Sequence, residues 1–315
     1  MSQIPVQIGP IGHGLSQTRN ACPRPLSNRD LAILLAIDQY RYLDRDHVTD
    51  LFFSSRRNAE LTLQNLLWRG LIHRWPTMRW QGSQLRPSVY ALTTSGARQI
   101  ARLRELDPRP VCERARRARE YVYHLRHDLE ANRFFTKLAA AARDLPDQGL
   151  YHWLGETTCR AAYLRDGSPC SDGWGRYLLA DREVTFDLEW DRGTEFGRRI
   201  RTKATGYVTY FRGRRNADLH HVLFVAPTRV REGELHDLID PVLPPNVNLC
   251  RFWTTAVETI SSIGWLGAVW LEIGGSPRRV AFAEMSGHPR GQRLVSDCIA
   301  KPDWWTRRPG GGEGA

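Results

Sequence analysis

The chain is almost without lysine: Lys137, Lys203 and Lys301 are the three it has, although Lys plus Arg total 45. Its six cysteines (Cys22, Cys112, Cys159, Cys170, Cys250, Cys298) contain no CxxC pair. Such scatter fits neither a zinc site nor a secreted disulfide scaffold, and suits a reducing compartment. The opening stretch "MSQIPVQIGPIGHGLSQTRN" lacks the apolar core of a signal peptide. The most apolar late segment, "ISSIGWLGAVWLEIGG", is too short and too interrupted by Gly and Ser to span a bilayer. There is no internal repeat. These absences lead us to expect a soluble, cytoplasmic protein with no membrane partner.

What the sequence has instead is arginine. Lys plus Arg exceed Asp plus Glu by 45 to 34, a formal net charge of +11. Guanidinium forks bind phosphate bidentately and stack on bases, so a nucleic-acid partner is the first expectation. An Arg-rich composition inherited from a GC-rich genome would give the same charge. With 315 residues, 41% of them hydrophobic, the chain has room for two domains with sizeable cores. The pattern divides near residue 110. We expect a flexible arm over 1–25, a first domain over 26–110, a second over 111–300 and a disordered tail over 301–315.

The first domain opens at "LSNRDLAILLAIDQY", where Ser27 and Asp30 form a capping-box variant ahead of a helical apolar stripe. A short helix follows in "DRDHVTDLFF". A third, Ser-capped, lies in "SSRRNAELTLQNLLWRG", with Ala59, Leu63, Leu66 and Leu67 inward and Gly70 as its stop. "LIHRW" and "SVYAL" read as strands joined by the basic loop "PTMRWQGSQLRP", and a last helix starts at "TTSGARQIARLREL". Three helices followed by a hairpin is the order of a winged helix-turn-helix, whose third helix enters the major groove of double-stranded DNA. Its exposed positions would include Arg56, Arg57, Asn58, Glu60, Thr62, Gln64 and Asn65, among which Arg reads guanine and Asn and Gln read adenine. Arg74, Arg79, Trp80, Gln84 and Arg86 would add backbone or minor-groove contacts. A protein–protein module with a solvated charged face has the same pattern.

From residue 112 the order is helix, strand, strand, strand, helix, strand, an α/β domain with a mixed sheet, within a chain that is α+β overall. One long helix is expected over 113–145, with Tyr121, Leu125, Leu129 and Leu138 in its stripe. In "FDLEWDRGTE" the two-residue strand period places Asp187, Glu189 and Asp191 on one face and Phe186, Leu188 and Trp190 on the other. "SDGWGRYLL" and "EVTFDLEWD" form a hairpin across "ADRE", which can bring Asp172 to Glu189. Clustered carboxylates are a hard-oxygen site for Mg²⁺ or Mn²⁺. The following helix, "EFGRRIRTKATGYVTYF", turns Phe196, Ile200, Lys203 or Ala204, Tyr207 and Phe211 toward the sheet. Lys203 would then need Asp191 or Glu189 as its partner. A carboxylate cluster paired by Arg192, Arg198, Arg199 and Arg201 as plain scaffold is the alternative.

Together "RHDLEANRFF", "SDGWG", "LEWDRGTE", the "KATGY" helix and "VLFVAPT" resemble the replication-relaxation family of actinobacterial plasmids and integrative elements, over roughly residues 26–272. That resemblance implies a part in plasmid replication and DNA relaxation. The second half also resembles the PD-(D/E)XK nuclease core, a restriction-endonuclease-like fold. Asp172 matches its first acid and Glu189 its second, while Asp191 stands where that motif has lysine and Lys203 is the candidate replacement. Glu130 and Glu156 could add acidic ligands; His127 and Asn132 match the family's helix pattern.

The leading reading is a DNA-binding protein of a plasmid, phage or integrative element. One alternative is a Mg²⁺-dependent endonuclease or nickase using Asp172, Glu189, Asp191 and Lys203. The other is a non-enzymatic regulator of replication or transcription. Beyond double-stranded DNA, the partners this reading admits are a relaxase, a replication initiator and a second copy of the chain in a homodimer.

Overall fold

A computed structural model describes residues 25–75, 88–120, 125–164, 169–212, 219–244 and 250–300. The expected arm (apart from Pro25), the expected tail, Arg79, Trp80, Gln84, Arg86 and Tyr121 lie outside the described residues.

Helix α1 (Asn28–Tyr40) starts where the capping box placed it: the Ser27 hydroxyl accepts from the Asp30 N–H, and the Asp30 carboxylate accepts from the Ser27 N–H at 2.8 Å. Strand β1 (Leu43–Asp44) leads into α2 (Arg45–Phe52), where Asp44 and His47 make a second reciprocal cap. Helix α3 (Arg56–Trp68) is capped by Ser55, buries Ala59, Leu63 and Leu66, and leaves Leu67 half-buried. Strands β2 (Ile72–Trp75) and β3 (Val89–Leu92) pair antiparallel, and β1 adds to β3, giving the order β1-β3-β2.

Helices α4 (Thr94–Leu103) and α5 (Pro108–Glu120) pack on one another, and α5 also packs on α1 and β3. The stretch expected as one long helix belongs to α5 and to α6 (Leu125–Ala141), with 121–124 outside the described residues. Pro108 begins α5 rather than preceding it, as its fixed φ and missing N–H permit in a first turn.

The second sheet is built from β4 (Gly149–Gly155), β5 (Gly173–Leu178), β6 (Arg182–Trp190), β7 (His220–Ala226), β8 (Cys250–Ala256) and β9 (Leu271–Glu272), in that spatial order. Strands β4, β5 and β6 form an antiparallel meander, while β6, β7 and β8 run parallel. A last strand, β10 (His288–Pro289), pairs with the first two residues of β6, before β7 begins to cover that side. Parallel neighbours need crossovers, supplied by α8 (Gly197–Arg212) and α9 (Arg229–Ile239). Two shorter helices, α7 (Glu156–Tyr163) after β4 and α10 (Val257–Ile263) after β8, had no counterpart in the sequence reading.

The strand period sorts the core. Phe186, Leu188, Leu223, Val225 and Trp253 face α6 and the N-terminal helices in one apolar cluster; Val222, Phe224, Ala226 and Phe252 face α8 and α9 in another. The larger cluster runs from Ile33 through Phe134 to Phe282, so the N-terminal helices and the sheet share a core. Polar contacts cross the same boundary. Gln39 donates to the Trp153 carbonyl at 3.1 Å and Tyr40 stacks on the Trp153 ring with centroids 3.7 Å apart. Asn132 donates to the carbonyls of Tyr40 and Tyr42, and Lys137 pairs with Asp50 at 3.0 Å. Among the described residues no helix is long and apolar enough to cross a membrane.

Candidate functional site

The β5–β6 register, with Gly173 opposite Leu188, sets Asp172 beside the C-terminal end of β6. The Asp172 N–H donates to the Leu188 carbonyl at 3.0 Å, and the Trp190 N–H donates to Asp172 Oδ2 at 2.7 Å. The glycines of "SDGWG" have a steric reason. A Cβ on Gly173 would meet the Phe135 ring at 2.5 Å, and one on Gly175 the Phe186 ring at 2.3 Å. Aromatic side chains from α6 and β6 therefore press close against this strand, and Asp172 precedes its first residue.

Asp187 and Glu189 of β6, with Asp191 one residue beyond its end, share a face toward α8 and α9, and each has its own partner. Asp187 Oδ2 meets His220 Nε2 at 2.8 Å. Glu189 accepts from Lys203 Nζ and from the Tyr207 hydroxyl, both at 2.7 Å. Asp191 accepts from Arg231 Nε at 2.5 Å and from the Gly193 N–H at 2.9 Å, where Gly193 takes φ +71° to turn the chain. Of the two partners the sequence offered Lys203, the structure selects Glu189, with Glu195 3.4 Å away as a second carboxylate. Helical spacing carries Ile200, Ala204, Tyr207 and Phe211 inward with Lys203 at their margin. Phe196 departs from that stripe: it precedes the first turn of α8 and is 87% exposed.

Two neighbouring acids are driven apart electrostatically. Burial raises Asp172, but His127, Lys203 and the Trp190 N–H outweigh it and hold its carboxyl below the ordinary range. Burial also raises Glu189, and the Asp172 charge adds to it; despite Lys203 and Tyr207 its pKa reaches about 7. Lys203 loses something to burial, yet Glu189, Asp172 and Glu195 hold its ammonium firmly protonated. Burial pushes the Tyr207 hydroxyl well up, reinforced by Glu189, so it stays a donor.

On the α6 side of Asp172, His127 Nε2 lies 2.8 Å from Asp172 Oδ1. His127, Glu156 and Asp172 each offer a ligand atom, all within 4.8 Å of one another. A cavity of about 20 Å³, lined in part by Glu156, Asp172, Asp128 and Asn132, adjoins them. That is room for about one water or one ion. The set of two carboxylates and an imidazole fits a divalent cation. Glu130 is buried and pairs with Arg126 at 2.9 Å.

The other candidate surface is α3. Its solvent side presents Arg56, Arg57, Asn58, Glu60 and Gln64, with Thr62 and Asn65 half-buried; Arg74 on β2 is exposed as well. Arg56 pairs with Asp46 at 2.8 Å. Leu61 and Trp68 are also exposed on this helix, 56% and 72%, apolar groups the sequence reading did not place there.

What local periodicity missed is the set of contacts between distant segments. Glu156 heads a helix with no side-chain cap to announce it, and Arg231 reaches Asp191 from another element. His127 is one histidine on a helix face, and its pairing with Asp172 needs the tertiary fold.

No curated protein matches the chain. The family model described as replication-relaxation matches residues 34–224, from within α1 to within β7, so the match takes in α3, Asp172, Glu189 and Lys203. It covers more than half of the sequence, and the chain belongs to the replication-relaxation family, a membership that points to a role in the replication or relaxation of mobile elements.

Proposed function

We propose that the protein binds double-stranded DNA through a winged helix-turn-helix over residues 26–110 and engages the DNA backbone with a nuclease-like domain over 111–300. The observation that carries the first part is the division of α3: Ala59, Leu63 and Leu66 are buried, while Arg56, Arg57, Asn58 and Gln64 face solvent. Arg reads guanine and Asn or Gln reads adenine in the major groove, and exposed Arg74 would meet a flanking phosphate. Replacing Arg56 and Arg57 together with alanine should weaken duplex binding about tenfold or more at moderate salt. Unchanged binding in a filter or anisotropy titration would remove α3 from the interface.

A second reading, metal-dependent nicking of the backbone, is favoured by the Lys203–Glu189 pair next to Asp172. Lys203 would supply the cation that this motif takes from the position Asp191 occupies, while Asp191 itself pairs with Arg231. Asp172 and Glu189, with His127 and Glu156, are the groups that would hold Mg²⁺ or Mn²⁺. Such an ion, when bound, neutralises phosphodiester charge and acidifies a water. The chain's own part is positional: Trp190 N–H fixes the Asp172 carboxylate, Tyr207 fixes Glu189, and the ammonium of Lys203 stands ready for phosphate charge. Wild-type protein should convert supercoiled plasmid to the open circle with Mg²⁺ or Mn²⁺, and Glu189→Ala should not. Identical traces from both proteins in both metals would leave the DNA-binding reading standing alone.

A further inference from the structure

The stretch "LEWDRGTE" supplies Glu189 and the Trp190 N–H to the carboxylate site, but that site leaves the Trp190 indole and Arg192 unused. Both line a separate cavity of about 290 Å³ on the other side of β6, with Arg126 and Arg133 from α6 and Trp265 beyond α10. It lies outside the carboxyl ends of the parallel strands β6, β7 and β8, where open α/β sheets place their ligands. Its volume stands at the small end of the range, roughly 300–1,000 Å³, that ligand sites occupy.

The lining has two chemistries. Trp190 and Trp265 are half-buried, so each indole keeps part of its surface open while the rest packs on the core. Three guanidinium groups share the lining with them, and so do two carboxylates, Glu130 and Asp191, the latter taken up by Arg231. Arg126 is paired with Glu130, and Arg133 pairs through one nitrogen with Asp44 while its buried Nε has no hydrogen-bond acceptor. Arg192 is exposed and has no ion-pair partner among the described residues. Flat aromatic surface beside an excess of guanidinium charge is the complement of a base joined to a phosphate.

We infer that this cavity is a nucleotide-binding site, in which the base lies against Trp190 and Trp265 and the phosphate is met by Arg192 and Arg133. The inference is independent of whether the carboxylate site cuts DNA. The nucleotide can be free in solution or an unpaired residue of a strand, and the test separates the two.

Calorimetric titration of the full chain in one arm uses deoxyadenosine monophosphate, and in the other a DNA hairpin with one unpaired adenine against the same hairpin fully paired. Saturable binding of the mononucleotide assigns a free ligand; preference for the hairpin with the unpaired base, without mononucleotide binding, assigns a strand residue. Either preference should fall about tenfold in Trp265→Leu, which keeps apolar bulk against Phe134. It should fall similarly in Arg192→Ala, which touches no core contact and decides the matter should Trp265→Leu fail to fold. Absence of mononucleotide binding together with equal affinity for the two hairpins overturns the site. So does a preference that both substitutions leave intact.

Discussion

The two faces of β6 meet the interior on opposite terms. On one, Phe186 and Leu188 are fully buried among Phe134, Phe135 and Phe282, contacts that need only shape and area. On the other, Asp187 and Glu189, with Asp191 just past the strand end, are buried as well, and each depends on a particular donor: His220 at the start of β7, Lys203 and Tyr207 on α8, Arg231 on α9. An apolar face tolerates exchange of volume for volume. An acidic face tolerates nothing missing, because a buried charge without its partner is strongly destabilising. The partners also differ in what they leave behind: Arg231 takes up Asp191 completely, while Glu189 keeps a raised pKa beside a cation, as a working group would.

Breaking the apolar face should have the largest effect. Phe186→Ala removes a ring that touches three others and should cost about 3–5 kcal/mol in a urea melt, with the nicking and binding assays unchanged per folded molecule. Breaking the acidic face should cost somewhat less in stability and more in function. Lys203→Met leaves Glu189 without its cation and should lose about 2 kcal/mol, because the side chain is partly solvated. Adding Glu189→Gln to Lys203→Met should return most of that loss, since the orphaned charge is gone; a double variant as unstable as the sum of the singles would deny the coupling.

The effect that is smallest at neutral pH sharpens the contrast from the apolar side, which holds a titratable group of its own. His221 on β7 donates from Nε2 to the Ser286 carbonyl and accepts from the Trp253 indole, and burial depresses its pKa from 6.5 to about 3. A depressed imidazole stabilises the fold above the unfolded value of 6.5 and loses that contribution as pH falls toward 3. His221→Phe should therefore flatten the fall of stability below pH 6.5 by up to one proton, about 1.4 kcal/mol per pH unit. The orphaned Trp253 N–H adds an offset without a slope.

Much of this arrangement can be read in the one-dimensional pattern, and the reason is periodicity. Alternation in "FDLEWD" sorts acids from apolar residues, and the spacing from Ile200 to Phe211 carries Lys203 to the sheet. Ser27 and Ser55 announce helix starts because their hydroxyls satisfy N–H groups within the same turn. The same logic misplaced Phe196, since a stripe extended by arithmetic does not know where the helix begins. Contacts such as His127 with Asp172 or Arg231 with Asp191 join segments with no local relation, and no period marks them. The short α7, which brings Glu156 to Asp172, lacks a side-chain cap at Gly155 to signal its start.

The contacts of Gln39 and Tyr40 with Trp153, and of Asn132 with Tyr40 and Tyr42, have a metrical consequence. They pin α1, and with it the three-helix unit that carries α3, to β4 and α6, the elements flanking Asp172. On the proposed reading the molecule is then a ruler. The base pairs read at α3 and the phosphate met at Asp172 lie a set number of nucleotides apart. Footprint and contact point should shift together when the recognised sequence is moved, and never independently.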